Sequence, residues 1–197
     1  MDSGESIDVQ EVFDFCRGGP ARKRKTARLV FALMPDDESA AHLARFTESL
    51  LAENALAAVP VKAARLHIAL HRLAARPSAL YGAKLAGQAV AAAGLRLRFH
   101  GLGSVGRGLA LTSADPALAA LQETLSAALA RNGLHAAPPA PPHLTLAHGA
   151  GRRPLQAIAP LTVTLAGLAL LRREGSDPRG EAMVLRRWPL NRLGAIA

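Results

Sequence analysis

The chain has 197 residues, half of them hydrophobic and only 4% aromatic, so Ala, Leu and Val must build its core. That much apolar material excludes a disordered chain, and a single cysteine, Cys16, excludes a disulfide framework or a multi-cysteine zinc site. Lys and Arg number 24 against 15 Asp and Glu, a formal charge of +9 that favours nucleic acid or phosphorylated small molecules as partners. The longest apolar run, Thr162 to Leu171, is about half the ~18–20 residues a spanning helix needs, and the acidic N-terminus does not resemble a signal peptide. The expectation is a cytoplasmic protein with no membrane contact.

In chain order, residues 1–16 carry five acids and no base, and residues 17–25 carry five bases and no acid. This segment is neutral overall, so the body from Thr26 keeps the whole +9. With Gly18, Gly19 and Pro20 at its centre, residues 1–26 read as a flexible extension, and the run Arg22–Lys25 as a solvated junction. The folded domain is expected over 27–197. Arg28 to Leu33 is a buried strand stopped by Pro35. Asp36 and Asp37 open a helix with Leu43, Phe46, Leu50 and Leu51 at helical spacing, ending before Pro60. Leu66 to Leu73 alternates as a strand, and Ser78 caps a helix from Ala79 to Ala93 that Gly94 ends. Leu95 to Phe99 alternates again, and the glycines from Gly101 to Gly106 read as a hairpin turn. The pattern then restarts with a strand from Gly108 to Thr112 and a helix begun by Asp115-Pro116 and stopped at Gly133. A proline-rich approach, Pro138 to Pro142, leads into the strand His143 to Ala147. Strands over Leu161–Leu171 and Ala182–Leu190, joined by Gly175-Ser-Asp-Pro178, complete the chain.

Strand, helix and histidine-bearing strand therefore occur twice, with 34 residues from Leu33 to His67 and 32 from Leu111 to His143. This predicts an α+β fold of two pseudo-two-fold, duplicated α/β lobes sharing elements over about 27–103 and 104–190. Each lobe has an antiparallel sheet flanked by helices, with a cleft between the lobes. Strand alternation puts His67, Ala69 and His71 on one face and Leu66, Ile68 and Leu70 on the other. It likewise separates His143, Thr145 and Ala147 from Leu144 and Leu146. The leucine faces belong to the core, so each lobe offers a histidine to the cleft. Two opposed imidazoles suit proton shuttling, since a pKa near ~6.5 makes both the accepting and the donating form available. On a basic surface, that pair suggests phosphodiester chemistry without metal.

Three other readings compete. His67 and His71 would pair as metal ligands on a helix, but the metalloprotease motif needs Glu where Ile68 stands, and the alternation argues for a strand. Gly101-Leu-Gly-Ser-Val-Gly106 matches the dinucleotide-binding glycine pattern in form, but a strand follows it where that motif opens a helix. A lone histidine is often structural, a reading weakened by two histidines in equivalent frames.

The paired motifs His67-Ile-Ala-Leu70 and His143-Leu-Thr-Leu146, the opening strand Leu29–Leu33 with Pro35, and Phe99-His-Gly-Leu-Gly103 resemble the two-histidine phosphoesterase superfamily over roughly residues 28–190. The branch of closest resemblance is the RNA 2',3'-cyclic phosphodiesterases, also called 2'-5' RNA ligases. The chain departs from their pattern at Ala69, where Thr or Ser is usual, at Arg72 in place of an aromatic, and at His148 in place of Arg. The resemblance implies hydrolysis of 2',3'-cyclic phosphate ends of RNA or nucleotides to 2'-phosphates, with reversible 2'-5' ligation as the same chemistry run backwards. It implies His67 as proton donor, His143 as proton acceptor and Thr145 as a phosphate ligand. His71 and His148 are further substrate-binding candidates. Neither cofactor nor metal is expected, and the expected state is a monomer. The alternative is a catalytically weakened RNA-binding module of the same fold, because Ala69 lacks the hydroxyl.

Overall fold

The computed structural model describes residues 27–90, 94–135, 141–175 and 182–190. The expected N-terminal extension, residues 91–93, most of the proline-rich approach and the joint at 176–181 lie outside the described residues, and the second helix, expected to run to Ala93, already ends at Ala89 with Val90 as its cap. Three helices stand against one antiparallel sheet of eight strands. The strands are β1 (Arg28–Pro35), β2 (Val59–Pro60), β3 (Ile68–Ala74), β4 (Leu95–Val105), β5 (Gly108–Thr112), β6 (His143–His148), β7 (Gln156–Arg173) and β8 (Ala182–Pro189). The helices are α1 (Asp37–Glu53), α2 (Pro77–Ala89) and α3 (Pro116–Arg131).

The helix starts follow from local chemistry. The Asp36 carboxylate accepts from the Ser39 amide at 2.7 Å, and Asp37 and Glu38 add negative charge to the first turn of α1. Asp115 caps α3 in the same way through the Ala117 amide, with Pro116 at the first helical position and Gly133, at φ 69°, just past the end. The second helix differs from expectation. Pro77, whose ring presets a helical φ, begins it, so the cap position is Arg76 and Ser78 lies inside.

β7 organises the sheet. Its 18 residues pair with β4 over Gln156 to Leu165 and with β1 over Leu165 to Arg173, while β8 runs along its other edge from Gly167 to Arg173. A strand expected to span Leu161–Leu171 is thus longer and shared between two groups of strands: β3, β1, the end of β7 and β8 in one, and β6, β5, β4 and the start of β7 in the other. On the far side the groups meet where β3 pairs with β6 at Ile68 and Leu144. The pairings therefore close on themselves, β1–β3–β6–β5–β4–β7–β1.

One apolar row crosses this ring. Leu168, Leu33, Ile68, Leu144, Leu111 and Leu102 are successive partners on β7, β1, β3, β6, β5 and β4. All six are buried in the main core, where α1 contributes Leu43 and Leu51 and α3 contributes Leu118, Leu125 and Leu129. The small residues Ala83, Ala86 and Gly87 let α2 approach closely, and the Trp188 ring lies where a side chain at Gly87 would go.

The glycine segment corrects one expectation. Gly101 and Gly103 lie within β4, and only Gly106, at φ 60°, belongs to the two-residue turn before β5. A side chain at Gly103 would run into the Leu155 Cα (2.7 Å) and the Pro154 carbonyl (2.9 Å), so the glycine admits the 149–155 loop onto the sheet. No helix among the described residues is long and apolar enough to cross a membrane.

Truncating the central pair should be costly. Ile68→Ala is expected to lower stability by about 2–5 kcal/mol, the range for a fully buried aliphatic side chain. The check is a lower urea midpoint at unchanged slope.

Candidate active site

The site is reached by counting outward from the Ile68–Leu144 pair. Paired residues of antiparallel strands share a face and their neighbours take the other. With Ile68 and Leu144 in the core, His67, Ala69, His143 and Thr145 are turned to the opposite side, and all four are half-buried. Extending the register sets His67 across from Thr145 and His143 across from Ala69, which puts the two histidines on the diagonal, where Cα atoms stand about 7–8 Å apart. The row through His143 continues into Thr112 and Gly101, and the row through Thr145 into Ala110 and Gly103. Small side chains thus floor the face, and the two histidines stand above them.

The histidines are held alike. His67 Nδ1 donates to the carbonyl of Arg65 at 2.7 Å, and His143 Nδ1 donates to the carbonyl of Pro141 at 2.9 Å. A carbonyl only accepts, so each Nδ1 carries the proton and Nε2 is the atom left for chemistry. The partner is two residues upstream in both cases. His67 lies one residue before β3, beyond a 3-10 turn over Ala63–Arg65, where the expected strand began at Leu66.

The strands also share an irregularity. On β3 the register jumps from Ala69 to His71 opposite Ala32 and Phe31, so Leu70 is an extra residue. On β6 it jumps from Thr145 to Ala147 opposite Ala110 and Leu109, so Leu146 is extra. Each bulge falls three residues after its histidine and reverses the alternation beyond it. This corrects the placement of His71 and Ala147 on the histidine faces. His71 is 2% exposed and turned to α3, its Nε2 3.1 Å from the Gln122 carbonyl and 3.0 Å from the Ser126 hydroxyl. It takes no place beside His67 and is not a substrate-binding candidate. Ala147 is fully buried too. The next residues move the other way: Arg72, paired with Val30, and His148, paired with Gly108, come onto the face of the histidines. A pattern of plain alternation misses Arg72; two small registers broken at equal offsets are the signal for it.

Thr145 depends on Gly108, since a Cβ there would lie 2.7 Å from the threonine methyl. Around the first histidine the face is cationic. Val30, Ala32, Ala169 and Leu171 form a small second cluster with Ala69, and Arg28 and Arg173, a facing pair, end the same alternating columns. Of the described carboxylates, all but Glu174 belong to helices or their caps, and Glu174 pairs with Arg172 at 2.8 Å. Burial lowers the pKa of His67 below its ordinary 6.5, and the guanidiniums of Arg173, Arg65 and Arg72 lower it further. The bond to the Arg65 carbonyl opposes them without reversing the shift. His67 is consequently neutral in the unliganded protein at neutral pH.

Among the described residues no three His, Cys, Asp or Glu side chains gather as a metal site. Two depressions among the described residues lie away from the histidines: one of about 140 Å³ between α1 and the 153–156 segment, the other between Arg96, Arg98 and Thr162.

A mixed α/β fold with two histidines held in this way is that of a two-histidine phosphoesterase. The chain belongs to the 2'-5' RNA ligase superfamily, whose family model matches residues 29–177. Among solved structures it is similar to LigT of E. coli complexed with 3'-AMP, at 24% identity and TM-score 0.63 over 84% of this chain and 99% of that one. The TT0787 protein of Thermus thermophilus is similar at 26% and 0.62, over 85% and 100%. The PDE domain of MHV ns2 is similar at 20% and 0.53, over 70% and 97%. No curated protein matches the sequence.

The two floor glycines should respond differently to a methyl group. In Gly108→Ala the obstacle is the end of a side chain, so Thr145 should rotate with little change in Tm, read as a moved Thr145 methyl signal in NMR. In Gly103→Ala the obstacle is backbone, and the fall in Tm should be several-fold larger.

Proposed function

We propose that the protein is a metal-independent phosphodiesterase that opens 2',3'-cyclic phosphate ends of RNA or nucleotides to 2'-phosphates. The observation that carries this reading is the matched pair of histidines, each with Nδ1–H tied to a carbonyl and Nε2 offered to one face. His143 Nε2 takes a proton from water as the water oxygen bonds to phosphorus. The P–O3' bond breaks, and His67, protonated in this step, gives its Nε2 proton to O3'. The 2'-phosphate remains, and the next cycle begins when the proton passes back through solvent. Thr145 donates to a phosphoryl oxygen, and His148 lies further along the same face as a second contact to the substrate. LigT has been solved with 3'-AMP and with phosphate, which is in keeping with a nucleotide phosphate as ligand. The protein works as a monomer in this reading, in two lobes that meet at the histidines.

The lowered pKa of His67 has a consequence for turnover. The free enzyme must have His67 protonated to act as acid, so kcat/KM falls as pH rises through that pKa. Bound phosphate offsets the guanidiniums, so the alkaline limb of kcat lies at higher pH than that of kcat/KM. The expected kcat/KM on a 2',3'-cyclic mononucleotide falls with rising pH as the lowered pKa of His67 is passed, and Arg173→Gln should move that fall to higher pH. Turnover should survive EDTA, and His67→Ala and His143→Ala should each lose at least about 10²-fold, in the range for removing a general acid or base. Hydrolysis that requires added metal, or that persists in His143→Ala, overturns the reading. Salt-sensitive RNA binding with no turnover would instead identify the RNA-binding module that Ala69 suggests.

A further inference from the structure

The first half of the site lacks a hydroxyl at Ala69, and the bulge beside it brings a guanidinium onto the same face. We propose that Arg72 is the anion-binding residue of that half, its guanidinium holding the phosphoryl oxygens of the substrate above Ala69. The proposal rests on the phosphodiesterase reading for the identity of the anion, but not for the binding itself.

The argument is geometric. Along β3 the positions on this face are His67, Ala69 and, because Leu70 is extra, Arg72. Without the bulge Arg72 would enter the core and His71 would take the face of the histidines. Arg72 pairs with Val30, next to Ala32 and Ala69, so its neighbours on the face are small and apolar. Two steps of strand put its Cα roughly 7 Å beyond Ala69, within the length of an arginine side chain. Ala69 in turn stands across from His143, so a side chain folded back over Ala69 delivers the guanidinium between the two histidines.

Chemistry favours the same role. Arg72 is exposed, and no carboxylate lies within ion-pair distance of it among the described residues. Its planar fork of N–H donors matches two oxygens of a phosphoryl group and carries a full charge, whereas a threonine offers one neutral donor. His148 holds the matching position on β6, five residues after His143, so a basic side chain flanks the anion from each half. The repulsion that Arg72 exerts on His67 is consistent with a guanidinium directed along this face toward the imidazole.

The test uses the full chain and two probes, inorganic phosphate by calorimetry and a 2',3'-cyclic mononucleotide by turnover. Arg72→Gln is compared with Arg98→Gln, which removes the same charge from an exposed site on β4. The expected result is a Kd for phosphate raised at least about tenfold in Arg72→Gln and little changed in Arg98→Gln, since a lost bidentate contact exceeds a diffuse field effect. Arg72→Lys should fall between, keeping the charge and losing the fork. Ala69→Thr placed in the Arg72→Gln chain should recover much of the loss in both phosphate affinity and kcat/KM. Equal weakening in Arg72→Gln and Arg98→Gln, or none in Arg72→Gln, overturns the proposal. So does an Ala69→Thr that rescues nothing. Arg72-dependent phosphate binding in a protein that never turns over the cyclic nucleotide upholds Arg72 and overturns the phosphodiesterase reading; turnover indifferent to Arg72→Gln does the reverse.

Discussion

The contact between Ile68 and Leu144 is where the two groups of strands meet away from β7, and both side chains are fully buried. Burying aliphatic surface is worth about 25 cal/mol per Å², and here it acts in concert along the row from Leu168 to Leu102. A slip of one residue in either strand would turn those leucines outward and drive a histidine into the core, so the register is energetically well specified. The positions of His67, Ala69, His143 and Thr145 follow from it. The active face is, in this sense, the reverse side of a hydrophobic seam.

What stands on that face is then refined by polar contacts and by two irregularities. A carbonyl two residues upstream fixes each imidazole in one tautomer, and the two carbonyls come from unlike segments, a 3-10 turn and a proline approach. The bulges after Ala69 and Thr145 bury His71 and Ala147 and expose Arg72 and His148. Glycines complete the arrangement by absence: Gly108 leaves space for Thr145, and Gly103 lets the 149–155 loop lie on β4.

Charge is distributed along the same division. Among the described residues, carboxylates are concentrated on the helices and their caps, while the strands beside His67 carry Arg28, Arg72 and Arg173. Cations that draw in an anion also discourage protonation of the nearby imidazole. Anion binding and proton binding at His67 are therefore linked, each favouring the other, as any pair of coupled equilibria must be.

Much of this was legible in the sequence. Alternating leucines located the histidine strands, capping residues at Asp36 and Asp115 located two helices, and the repeat of strand, helix and histidine strand pointed to a mixed fold and to His67 and His143. These signals are local, written in periodicities of two and 3.6 residues that each segment carries by itself. The choice between His71 and Arg72 is not of that kind. It depends on an extra residue accommodated opposite Ala32 and Phe31, and only the partner strand defines where a bulge falls. The same holds for β7, whose length and double pairing are set by β1 and β4, and for the glycines of β4, which look like a turn until Thr112 and Leu155 are seen beside them. The sequence by itself determined which residues seek the core and which two histidines stand in equivalent frames; the tertiary structure decided which of their neighbours share the face, because sidedness beyond a bulge is a property of paired strands.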